Sequence, residues 1–179
     1  MNTPIATHYV TSLEEVLWGG LLVAITIAIH GLGMISVVRA NGALKERFKG
    51  PLSFTSGITI VVVSAWMILL VHLVEVLVWA GFFLWQGAVN TSAEGGGAAN
   101  FSLSYYFALL DYTCLGSNYN LDLRWRMLEG GISMAGLLTF AWSTGVLITL
   151  AQSFQDEQLQ LLKEKHQNRR SKRSPAAPG

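Results

Sequence analysis

Three ionisable side chains, His30, His72 and Glu75, stand inside stretches that are otherwise apolar. Such groups are costly in lipid, and in a membrane-spanning segment they are functional candidates by default. His72 and Glu75 are three residues apart, so on a helix they share a face and can hydrogen-bond each other or a neighbouring helix. A protonated His72 would leave the pair nearly neutral and able to sense pH, although a polar contact joining two helices is the preferred reading. His30 and His72 also admit an axial haem pair, but the expected span ends set the two at heights about 13 Å apart at 1.5 Å per residue. A second chemistry-bearing stretch is "YYFALLDYTCLGSNYNL", residues 105–121, an aromatic run followed by a lone cysteine, a glycine, a serine and two asparagines. No phosphate-binding loop, metal-ligand spacing or nucleophile–base pair accompanies these residues, so no enzyme, metal or resident cofactor is expected.

The elements that must position them follow from composition. Of 179 residues, 51% are apolar and only 13% charged, which implies an integral membrane protein. Three stretches, residues 13–38, 54–85 and 125–152, are long enough for a hydrocarbon core that takes about 20 helical residues to cross. Ten of the twelve Lys and Arg fall between Arg39 and Lys49 or between Lys163 and Arg173, and both segments are expected to be cytoplasmic. Arg124 and Arg126 flank Trp125 as headgroup-level anchors. The expected order is then an outer N-terminus (1–12) with Thr11 and Ser12 as helix caps, a first span retained rather than cleaved, and a basic inner loop (39–53) turned by Asn, Gly and Pro. The second span follows, then an outer linker (86–100), the segment 101–124, the third span, and a cytoplasmic charged helix fading into a disordered tail (153–179).

Segment 101–124 lies wholly on the outer side. Asn100 can cap a helix in which Phe101, Tyr105, Tyr106, Leu109 and Tyr112 recur at helical spacing over about three turns. That is too short to span and too apolar for a solvated loop, so a re-entrant segment is expected, with irregular backbone following it. Such backbone is tolerated at membrane depth only where protein buries it or where it lines a water-filled path. The plainer alternative is an interfacial amphipathic helix with an ordinary outer loop.

At these residues the chain resembles the pore region of the tetrameric potassium-channel superfamily, in which a pore helix ends in a Thr-Thr-Val-Gly-Tyr-Gly-Asp-like filter before an inner helix. Here "YTCLGSNY" takes that place, and the likeness runs from Phe101 to Ala151. Thr113 matches the first threonine, Leu115 the apolar residue and Gly116 the first glycine, while Cys114, Ser117, Asn118 and Tyr119 replace the second threonine, the tyrosine, the second glycine and the aspartate. The resemblance implies a homotetramer whose filter backbone coordinates permeant ions, with glycine-type dihedrals at Gly116 and a tolerant Asn118. The replacements imply a wider, hydrated path for several monovalent cations, K and Na, lined by Ser117, Asn118 and Asn120. Asp122 would form an acidic ring at the outer mouth unless Arg124 neutralises it. Asp111, at the disfavoured end of the pore-helix dipole, would either support the filter from behind by hydrogen bonding, or simply cap neighbouring donors or be protonated.

In the inner helix Gly136 and Gly145 are candidate hinges or close-packing sites, and Thr139, Ser143 and Thr149 candidate cavity walls. Leu147, with Leu150 or Phe154, is a candidate apolar gate. No span carries a repeated arginine series, so voltage sensing is not expected. The basic tail suits anionic headgroups rather than nucleic acid. The expected fold is thus an all-α membrane protein, three transmembrane helices plus one re-entrant pore helix per subunit, in a symmetric tetramer in the cell membrane. The alternatives are a haem- or quinone-linked electron-transfer subunit, which a Soret band would reveal, and a non-conducting structural subunit.

Overall fold

The computed structural model describes residues 13–47, 54–90 and 100–173. Thr11 and Ser12, part of the inner loop, most of the outer linker and the last six residues of the tail lie outside them. The described chain is helical apart from a two-stranded pairing and short connections. Its elements are α1 (Leu13–Arg47), α2 (Phe54–Gln86), β1 (Val89–Asn90), α3 (Phe101–Tyr112), β2 (Asn120–Leu121), a 3₁₀ turn at Leu123–Trp125, and α4 (Met127–Arg173). Helices α1, α2 and α4 are each long and apolar enough to cross a membrane, and α3 is not.

One helix end differs from the sequence expectation. Helix α1 does not turn at Asn41 and Gly42 but continues to Arg47. The Asn41 amide is buried and donates to Ser64 Oγ at 3.1 Å, which removes its competition with the helix backbone, and the helix-favouring run Ala43–Glu46 follows. Helix α4 runs past Gln152 without a break to Arg173, so the charged helical segment continues the third long helix.

The described residues fall into two compact units. One takes in the residues up to Leu32 together with Leu70–Ala141. Its core is aromatic: Trp79, Phe83, Phe107 and Tyr112 are almost fully buried, with Phe82, Trp125, Leu128 and Ile132 around them. Ring pairs such as Phe83–Phe107 and Phe82–Trp125 meet edge to face, the arrangement that aromatic quadrupoles favour. Trp79 satisfies its indole N–H on Thr26 Oγ1 at 2.9 Å. The pairing of β1 with β2 is antiparallel, Val89 opposite Leu121 and Asn90 opposite Asn120, and ties the segment after α3 to the end of α2. Glu15, nearly fully buried, accepts from the Met127 N–H at 2.6 Å and so neutralises the start of α4, where backbone donors lack helical partners.

The other unit comprises Gly33–Leu69 and the described residues from Trp142 onward. Here Lys45 Nζ donates to Ser153 Oγ at 3.1 Å and lies 3.9 Å from Glu157. The Phe154 ring covers Gly57, where a side chain would have no room.

Candidate functional site

Helix α3 begins as its sequence dictates: the Asn100 side chain accepts from the Leu103 N–H at 2.8 Å. Its other end is a Schellman turn. Cys114 N–H donates to Asp111 O at 3.0 Å and Leu115 N–H to Leu110 O at 2.9 Å, which requires left-handed backbone at residue 114. That position, usually a glycine, is here Cys114 at φ 59°, and Gly116 follows at φ 70°. The left-handed positions are therefore 114 and 116. Asn118, the tolerant residue expected to adopt one, does not. A side chain in this conformation costs about 1–2 kcal/mol, so surrounding structure must hold Cys114 there.

Helix α4 supplies that hold. The Ser133 hydroxyl donates to Asp111 O at 2.9 Å, and Cys114 Sγ lies 3.7 Å from Ser133 O. At Gly136 the backbone of α4 meets the Tyr112 carbonyl so closely that a Cβ there would collide with it. Of the two roles open for Gly136, this contact is close packing. Gly145 has open space around it.

Beyond the turn, Cys114, Leu115, Gly116 and Asn118 are exposed, Leu115 to 76%. Thr113 turns its hydroxyl back to Leu109 O and Leu110 O at 2.9 and 3.0 Å. Ser117 Oγ donates to Tyr119 O at 2.9 Å and accepts from Tyr119 N–H at 3.2 Å, bracing the loop on itself, while the Tyr119 ring meets Tyr106 edge to face. Asn120 lies in β2 and Asp122 is exposed. Arg124 bonds Glu14 at 2.6 Å and lies over the Trp125 ring. The Asp111 carboxyl is buried and its Oδ2 meets no hydrogen-bond partner among the described residues.

Behind the turn lies a buried polar cluster. Glu75, fully buried, has Oε1 2.8 Å from His30 Nδ1 and Oε2 3.3 Å from His72 Nδ1. Tyr112, the last residue of α3, donates its hydroxyl to Glu75 Oε2. The same hydroxyl lies 2.5 Å from Thr139 Oγ1 and 3.0 Å from His72 Nδ1. Buried polar groups must be paired, and here two helices from distant sequence, α1 and α2, close the pairing with α3 and α4.

The structure thus joins His30 to the His72–Glu75 pair, their rings 5.3 Å apart. The 13 Å offset does not hold, because α1 ends at Arg47 rather than at residue 38. His30 is 17 residues from that end and His72 is 18 from the start of α2, distances of about 26 and 27 Å. Both Nδ1 atoms nonetheless turn toward one carboxylate, whereas axial haem ligation needs imidazoles on opposite faces of a porphyrin. Thr139, a candidate cavity residue, is fully buried and bound to Tyr112. Ser143 is buried with its hydroxyl 3.9 Å from Met34 Sδ, Leu147 is half-buried, and Thr149 is exposed and bonds Gly145 O. Tyr112, Ser133 and Glu15 carry roles that sequence does not single out. Tyr112 reads there only as one member of the apolar repeat of α3.

No family model matches the chain, and comparison with curated proteins and with solved structures gives no match either.

Proposed function

We propose that the chain is one subunit of a homotetrameric cation channel, with α3 entering the membrane from the outer side as a re-entrant pore helix and residues 113–119 lining the path. The observation that carries this reading is how far below the outer ends of α2 and α4 the end of α3, and with it the turn that follows, is held. The Tyr112 carbonyl meets α4 at Gly136, nine residues and about 13 Å from the helix start at Met127. The Tyr112 hydroxyl reaches Thr139, about 18 Å from that start, and Glu75, about 16 Å from the end of α2 at Gln86. If α2 and α4 span, the end of α3 and the turn after it are held below their outer ends, with Cys114 Sγ beside Ser133 O about 9 Å from the start of α4.

Irregular backbone at such depth must face water or protein rather than lipid, and residues 114–116 are exposed in the single chain. One loop cannot enclose a path, so further copies are needed, and the likeness to the tetrameric potassium-channel superfamily supplies the number four. Left-handed backbone at alternate residues 114 and 116 suits a loop that turns its carbonyls to one side. Ser117 is tied to Tyr119 rather than to α3, and the Tyr119 ring meets the pore helix edge to face at Tyr106, a different support from a tyrosine at position 117, which suits a wider path that passes both K and Na. The N-terminus lies outside and the charged end of α4 inside, and the chain is not an enzyme.

The test is flux of K and Na into liposomes that contain this chain alone. Flux of both supports the reading. Its absence at every pH and voltage, in protein that folds, refutes it.

A further inference from the structure

We infer that His30, His72 and Glu75 form a binding site for a divalent transition-metal ion of the zinc class, placed behind the end of α3. Two imidazoles and one carboxylate are a donor set for such ions, whereas magnesium and calcium favour oxygen ligands throughout. The three side chains each offer a ligand atom, all within 4.8 Å of one another, and all three residues are buried. Bonds of about 2.0–2.2 Å to a tetrahedral ion put its ligand atoms roughly 3.3 Å apart. The separations here, 2.8 Å from His30 Nδ1 to Glu75 Oε1 and 3.3 Å from His72 Nδ1 to Glu75 Oε2, are short of or equal to that length, so small outward side-chain shifts make room for the ion. Each imidazole then binds through Nδ1 as the neutral ring, with its proton on Nε2.

The surroundings supply what a metal site needs beyond its ligands. The Tyr112 hydroxyl holds Glu75 Oε2 and lies 3.0 Å from His72 Nδ1, close enough either to orient the carboxylate or to become the fourth ligand. Thr139 holds that hydroxyl in turn. The His72 ring is stacked on Phe140 at 4.4 Å, which fixes its plane. A divalent ion would also offset the charge of a carboxylate that has only histidines as ion-pair partners among the described residues. Through Tyr112 it would tie α1 and α2 to the last residue of α3. The site does not depend on the channel reading.

Because the cluster is buried, the ion is expected to enter during folding. The test is to express the full chain in medium with cobalt as the added transition metal, purify it in detergent, and measure bound cobalt and its visible spectrum. One cobalt per chain is expected, with the strong ligand-field bands of a tetrahedral nitrogen–oxygen site and no thiolate charge-transfer band. Glu75→Gln and His30→Gln should each lose the metal, and Tyr112→Phe should hold it about 10- to 100-fold more weakly. His166→Ala and Cys114→Ser should keep it unchanged. Should the cluster variants fail to fold, the stoichiometry and spectrum of the unaltered chain decide. Less than a tenth of an ion per chain, a thiolate band, or retention of the metal by folded Glu75→Gln overturns the proposal.

Discussion

Replacing Gly136 by alanine tests the contact that fixes the end of α3. Alanine gains about 1 kcal/mol over glycine in a helix interior, so intrinsic propensity alone predicts stabilisation. The structure predicts the opposite sign. A Cβ at 136 meets the Tyr112 backbone carbonyl, which cannot rotate aside as a side-chain tip could. Overpacking costs about 1–3 kcal/mol, and a backbone obstacle belongs at the upper end. Pushing Tyr112 away also strains its hydroxyl bond to the Glu75 carboxylate, and a bond to a charged group contributes about 1.5–3 kcal/mol. Setting these costs against the propensity gain leaves a net loss of about 3.5–5 kcal/mol. Gly145→Ala, in the same helix with open space around it, should instead gain up to about 1 kcal/mol. Equilibrium unfolding in mixed micelles, followed by circular dichroism, would measure both. If Gly136→Ala is as stable as the unaltered chain, or moves in the same direction as Gly145→Ala, the close approach of α3 to α4 is wrong.

Other expectations follow from the same geometry. Cys114→Gly places glycine where the backbone is already left-handed, and should stabilise the chain by about 1 kcal/mol in the same unfolding assay. Glu15→Ala removes the carboxylate that accepts from the Met127 N–H, and should cost about 1 kcal/mol while leaving Glu14→Ala, an exposed pair partner of Arg124, near neutral.

How much of this was legible in the residues varies with the kind of contact. The three long helices follow from apolar length, and α3 from the Asn100 cap and its aromatic spacing, because these are local signals. The pairing of His72 with Glu75 is legible from the helical period, whereas His30 joins them only once α1 is known to run through Asn41 and Gly42. A tertiary bond from Asn41 to Ser64 overrides the usual turn preference there, and no local signal announces it. Similarly, Cys114 carries the left-handed position because the Schellman turn of α3 demands it, while residue preference alone favours Asn118. Gly136 shows the same limit: hinge and close packing are indistinguishable until the Tyr112 carbonyl is placed beside it.

The most direct test of a path through the exposed loop uses Cys114, the only cysteine in the chain. Liposomes containing this chain alone would be treated with a small cationic thiol reagent while K and Na flux is recorded. The channel reading predicts that both ions pass, that modification of Cys114 blocks them, and that Cys114→Ser conducts but resists the reagent. Flux that persists after complete modification of Cys114, or no flux from folded protein, would contradict it.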